Sequence, residues 1–244
     1  MSLLNHIFRP FGYELKKHYK IAAPTAMDAL MNAIHHYGID TVFDVGANVG
    51  QFGRELRGAG FKGQLHSFEP VAETFKTLRQ ACQADANWHP HNLALGAEAG
   101  THTIHVAAAS DLSSFNAPND FGKDRFKGFQ STTQEDVEVS TVDQFIALSK
   151  LSGRTILLKM DTQGHDLEVL KGAAQSLFCI PVIQSEIAFQ PLYGNMPTHI
   201  ESFSNFQDCG YGVAALNAVT KTEDLAVIEM DCLFIRKGDP APTR

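Results

Sequence analysis

No run of the chain approaches the ~20 consecutive apolar residues that a membrane-spanning helix requires, so no such helix is expected. Cysteine is scarce. Cys82, Cys179, Cys209 and Cys232 are scattered with no Cys-x-x-Cys pair, which argues against a disulfide frame or a zinc site. They read as reduced, buried thiols of a cytoplasmic protein. The N-terminal MSLLNHIFRPFGYELKK has neither the apolar core nor the small-residue cleavage site of a secretory signal, which supports the same expectation. Basic residues are in deficit, 20 Lys and Arg against 27 Asp and Glu, for a net charge of −7. Such a field repels phosphate backbones, so nucleic acid is not expected as a partner. Internal repeats, low-complexity tracts and Pro/Gly/Ser-rich linkers are also missing. What remains, 44% hydrophobic and 19% charged residues, is the composition of a soluble globular protein.

The arm at residues 1–20 carries Arg9, Lys16, Lys17 and Lys20 against Glu14 alone, and is read as a packing or docking element. Helical spacing of Ala26, Leu30, Met31, Ile34 and Tyr37 predicts a helix after Pro24 that stops at Gly38. β-rich runs follow at 41–45, 65–68, 88–95, 103–106, 135–141, 155–160 and 181–186, most of them separated by helical stretches. Residues 110–133 read as loop. Two closing strands, 211–216 and 227–235, have only a loop between them and must pair antiparallel. The expected fold is a doubly wound α/β domain, mostly parallel, with a C-terminal antiparallel hairpin. The expected division is an arm and helix at 1–39, a main domain at 40–236 and a tail at 237–244.

The most informative segment is Asp44-Val-Gly46-Ala-Asn48-Val-Gly50-Gln-Phe-Gly53, directly after the first strand. In open α/β sheets ligands bind beyond the carboxyl ends of the strands, where strand order reverses. Gly46 permits a sharp turn, Gly50 a close helix start, and Asn48 a helix cap or a ligand hydrogen bond. The spacing G-x-x-x-G-x-x-G departs from the dinucleotide pattern G-x-G-x-x-G, and Asp44 stands where a pyrophosphate is unwelcome. An NAD-dependent oxidoreductase is thereby disfavoured. Glu69, at the end of the next strand, suits the two hydroxyls of a ribose. An acid for a cation and an acid for a ribose together describe S-adenosylmethionine.

FDVGANVGQFG (43–53), SFEP (67–70), NLALG (92–96), STVDQF (140–145), LLKMDTQGHDLEVLKGA (157–173) and SEIAFQPLYGN (185–195) resemble the FkbM family of S-adenosylmethionine-dependent methyltransferases. The resemblance spans roughly residues 40–200. It implies a class I methyltransferase (Rossmann-like) fold and methyl transfer, usually to a hydroxyl of a glycan, sugar or glycosylated natural product. Carried over by position, Asp44, Gly46, Asn48 and Gly50 match the methionine-binding turn and Glu69 the ribose acid. Asn92, Ala94 and Leu95 fall where the family lines the adenine. Many members read D-x-E-G-x-E where this chain has DTQGHD, so Gln163 supplies no charge.

Methyl transfer needs acceptor oxygen, methyl carbon and sulfur in line, and positioning of that kind supplies ~7–11 kcal/mol. A base for the acceptor proton adds ~100- to 10,000-fold. The candidates are Asp161 at the end of TILLKM, His165 just beyond it, and Glu186 on the next strand. Asp161 is the leading one, as base, as hydrogen-bond acceptor or as ligand of a possible divalent metal; Glu186 is a second option for metal or acceptor. His89, His91, His102 and His105 lack ligand spacing and read as strand-surface residues. Phe115, Phe121, Phe126, Phe129 and Tyr193 are expected either to stack on sugar faces or to pack a lid. The competing reading is a catalytically silent module that binds the cofactor or a glycan.

Overall fold

The computed structural model describes residues 25–238; the basic arm and the end of the C-terminal tail lie outside them. Helix α1 (Ala26–Tyr37) opens on a capping box. Thr25 Oγ1 accepts from the Asp28 amide at 3.1 Å, and Asp28 Oδ2 accepts from the Thr25 amide at 2.8 Å. Gly38, at φ 63°, closes the helix in the left-handed region where its missing Cβ matters.

Strands β1 (Thr41–Val45), β2 (Gln64–Phe68) and β3 (Trp88–His91) are linked by helices α2 (Gln51–Gly58) and α3 (Ala72–Cys82). The short β4 (Ala94–Leu95), β5 (Gly100–Ala107), helix α4 (Asp120–Arg125) and β6 (Thr132–Ser140) follow. The remainder is α5 (Val142–Leu148), β7 (Ile156–Met160), α6 (Asp166–Lys171), β8 (Val182–Ala188), α7 (His199–Asp208), β9 (Tyr211–Lys221) and β10 (Val227–Arg236). Seven strands form one sheet in the order β3-β2-β1-β7-β8-β10-β9, parallel from β3 through β8 and antiparallel at β10 and β9. Strand order reverses between β1 and β7, which puts a ligand cleft beyond their carboxyl ends.

Every residue of β1 and β7 is buried, as expected for central parallel strands covered on both faces. Period-two alternation splits the core. Phe43, Phe68, Leu158, Ile183 and Phe234 face one layer, and Val42, Leu65, Leu157, Val182 and Leu233 the other. The second layer also receives Ser67, Asp44, Lys159 and Gln184, each two residues along from one of its members. These four are direct neighbours across β2, β1, β7 and β8. A polar row therefore crosses the sheet one step before the cleft.

Three details differ from the sequence reading. Trp88–Leu95 is not one strand: it breaks at Asn92, whose side-chain Nδ2 donates to the carbonyls of Glu69 (3.0 Å) and Pro70 (2.8 Å). Beyond the break, β4 joins a second sheet, β4-β6-β5. Residues 110–133 are not a bare loop; Asn119 Oδ1 accepts from the Gly122 amide at 2.8 Å and caps α4, with a 3₁₀ turn on either side.

Candidate functional site

The cleft beyond β1 and β7 is a cavity of about 470 Å³. On one side it is lined by Gly46, Asn48, Glu69, Ala94 and Leu95, and on the other by Asp161, Gln163 and Glu186. Asp44, Gly50, Asn92 and His165 are not among its lining residues.

The turn after β1 is held from below. Gly46 and Ala47 donate to the Phe68 carbonyl at 3.1 and 2.9 Å, and Asp161 donates to the Val45 carbonyl at 3.0 Å. Gly46 sits at φ 76°, and a Cβ there would lie 2.0 Å from the Asp161 carbonyl oxygen. No other residue fits. Gly50, at φ 84°, lets Trp88 and Leu78 pack under the start of α2.

Asp44 is fully buried beneath this turn and does not reach the cavity as a free charge. Its Oδ1 forms an ion pair with Lys159 Nζ at 3.0 Å, and its Oδ2 accepts from Ser67 Oγ at 3.1 Å. Trp88 Nε1 donates to Ser67 Oγ at 2.9 Å, completing the polar row. Lys159 Nζ also lies 3.5 Å from Asp161 Oδ2 and 5.3 Å above the Phe52 ring. Burial works against the ammonium, but the Asp44 and Asp161 carboxylates outweigh it and hold its pKa above the ordinary lysine value.

Glu69 is 6% exposed, and both its oxygens are anchored by backbone: Oε2 by the Asn48 amide at 3.0 Å and Oε1 by the Val71 amide at 2.9 Å. Burial pushes its carboxyl up to about 7, against the pull of those two N–H groups. Asn48, at φ 47°, does not cap α2; its Oδ1 accepts from Ser110 Oγ at 2.8 Å, which fastens the 110–115 segment across the cleft. Asn92 pins the Glu69-Pro70 turn, and Ala94, Leu95 and Phe68 supply an apolar wall.

On the facing side Asp161 is half-exposed. Gln163 Nε2 donates to Asp161 Oδ1 at 3.1 Å and to Glu186 Oε2 at 3.0 Å, while its Oε1 accepts from the Tyr193 hydroxyl at 2.9 Å. Burial, then the neighbouring Asp161, Glu229 and Asp231, raises the Glu186 carboxyl well above its usual value. Asp166 organises the loop: it accepts from the Thr162 amide at 3.0 Å, from the Thr162 hydroxyl, and from Ser185 Oγ at 2.6 Å. His165 is turned away, its ring packed 4.6 Å from Phe115, and burial lowers it to about 4.

Among the described residues, no group of three or more His, Cys, Asp or Glu side chains has the geometry to hold a metal. Asp161 and Glu186 converge on an amide nitrogen, a donor that cannot ligate, so the donor set does not fit a divalent cation. Of the loop aromatics, Phe115 and Phe126 line the cavity, whereas Phe129 and Tyr193 are buried against each other at 5.3 Å. Lys159 is not among the residues that the sequence motifs single out. The signal was there, since a lysine inside a wholly apolar central strand must find a carboxylate.

The family model described as the methyltransferase FkbM domain matches residues 44–213. No curated protein sequence matches the chain significantly. Among solved structures, magnesium protoporphyrin IX methyltransferase from Synechocystis PCC 6803, with bound SAM, is 11% identical at a TM-score of 0.47, with 96% of each chain covered. Precorrin-6y C5,15-methyltransferase from Geobacter metallireducens GS-15 is also 11% identical, at a TM-score of 0.45, over 91% of this chain and 94% of that one.

Proposed function

The chain belongs to the FkbM methyltransferase family, and from that premise we propose that it transfers a methyl group from S-adenosylmethionine to a hydroxyl of a sugar, glycan or glycosylated natural product. One observation carries this reading. A single cavity joins a cradle for a nucleoside to a half-exposed carboxylate, with Gly46 and Asp161 in contact between the two. The cradle fits the cofactor: Glu69 keeps unused lone pairs for two ribose hydroxyls, and Ala94, Leu95 and Phe68 present a flat apolar wall to a base.

When bound, S-adenosylmethionine supplies an electrophilic methyl on a sulfonium. The chain's own residues do the rest. Glu69, held by the Asn48 and Val71 amides, orients the ribose. Lys159 pins Asp44 and steadies Asp161, which faces the cavity and would accept the acceptor's proton as the hydroxyl oxygen takes the methyl, the methyl C–S bond breaks and a neutral thioether leaves. Glu186 and Gln163 support the polar wall against which the hydroxyls of a sugar would rest. The aromatic rings of Phe115 and Phe126 offer it an apolar face.

The test is titration calorimetry with S-adenosylmethionine and with NADH, followed by turnover to S-adenosylhomocysteine on a panel of neutral, amino and acidic glycosides. Micromolar NADH binding in competition with S-adenosylmethionine would remove the methyltransferase reading. Cofactor binding without turnover on any acceptor would leave a silent binding module.

A further inference from the structure

The Gln163 carboxamide stands between two carboxyl groups and the Tyr193 hydroxyl, which also lies 3.0 Å from the Leu112 carbonyl. The backbone of Gln163 is left-handed at φ 54°, its carbonyl accepts from Ser114 Oγ at 2.7 Å, and Gly164 follows at φ 91° against Met196. The side chain therefore starts from a set position. At the far end the nitrogen faces Asp161 and Glu186, whose carboxyl oxygens accept from it. Both N–H bonds are consumed there, at 3.1 and 3.0 Å, and the amide oxygen is turned away onto the Tyr193 hydroxyl. A cation held directly between the two carboxyl groups would compete with the amide nitrogen for the same oxygens, and the amide oxygen points elsewhere.

We propose that Gln163 is a positioning residue that takes the place of a divalent cation between Asp161 and Glu186, so that this chain orders the acceptor side of its cleft without one. The neutral donor offsets the repulsion between the two carboxylates and holds Asp161 by one oxygen. It does not draw off the carboxylates' charge as a cation would. The use of that wall for an acceptor rests on the methyl-transfer reading; the amide-for-cation arrangement does not.

The experiment is Mn²⁺ binding by electron paramagnetic resonance on the full chain, comparing wild type with Gln163→Glu, Gln163→Leu and Asp161→Asn. Gln163→Glu places a third carboxylate beside the first two and should bind Mn²⁺ at least ~10-fold more tightly than wild type, since affinity follows the number of charged ligands. Gln163→Leu, which brings no oxygen, should gain nothing. A residue that merely filled space would change stability in both variants and Mn²⁺ affinity in neither, and a folded Gln163→Glu with no gain overturns the proposal. So does wild-type Mn²⁺ binding that Asp161→Asn abolishes. That second comparison decides the matter should Gln163→Glu fail to fold. An S-adenosylmethionine isotherm on the same wild-type sample tests the methyltransferase reading separately.

Discussion

Glu69 sits in two competing environments, burial that favours its protonated form and two backbone N–H groups that favour the carboxylate. Burial wins, and its folded-state value of about 7 lies above the ordinary glutamate value. The folded chain thus holds this proton more tightly than the unfolded one. The associated stability is present below the unfolded value and is lost as pH rises through about 7. Ribose hydroxyls donate, so they prefer the ionised form. S-adenosylmethionine affinity should therefore rise with pH through about 7, and Glu69→Gln should bind more weakly with a flat profile. Glu69→Ala should weaken binding by ~1–3 kcal/mol, the scale for leaving buried polar groups unpaired. Calorimetry across that pH range checks both, and an unchanged affinity in folded Glu69→Ala would remove the residue from the site. Asp161→Asn is the complementary test. The amide is nearly isosteric but cannot accept the proton, so fold and cofactor affinity should persist while turnover falls by at least ~100-fold. Near-normal turnover with a lower melting point would instead assign Asp161 to loop architecture.

Strands β2 and β3 carry an unanticipated element. His66 Nδ1 and His91 Nε2 share a hydrogen bond at 3.0 Å, the two rings stack, and both press on Phe145. Burial holds His66 at about 3 and His91 at about 4. Folded values below the unfolded one mean stability that is complete above about 6.5 and lost as pH falls below it. Thermal melts at about pH 7 and pH 5 should show a smaller difference in His66→Phe than in wild type; an equal difference would place the acid sensitivity elsewhere. The pair shows what one-dimensional reading misses. The strand-and-helix alternation, the glycine turn, Glu69 and Asp161 are all legible, because period, turn chemistry and position at a strand end are local properties. The His66–His91 contact, the Gln163 bridge and the turning-away of His165 depend on registers between distant strands. The break at Asn92 also escapes such a reading, since the side-chain bond that accompanies the break reaches across 22 residues to Pro70.

At the scale of the whole molecule the reversal of strand order between β1 and β7 both creates the cleft and threatens the core. Asp44 and Lys159 are direct cross-strand partners at that junction, one fully buried and the other 7% exposed at its side chain. Each charge is compensated chiefly by the other, with Asp161 beside Lys159 and the Ser67 hydroxyl on Asp44, and the pair fastens the two halves of the sheet under the Gly46 turn. A buried pair of this kind contributes little beyond what an apolar pair would, but losing one partner strands the other. Lys159→Met should therefore cost ~3–5 kcal/mol, because Asp44 is left charged in the interior. Asp44→Asn/Lys159→Met removes that charge and should recover much of the stability, while Asp161 remains solvated through its exposed side. Cofactor affinity should not recover with it, since the turn and Asp161 have lost their shared anchor. Denaturant midpoints at matched slopes, with an isotherm for each variant, separate the two effects. A Lys159→Met protein as stable as wild type would show that the pair does not hold the junction together. Full recovery of binding in the double variant would show that the cofactor turn does not depend on it.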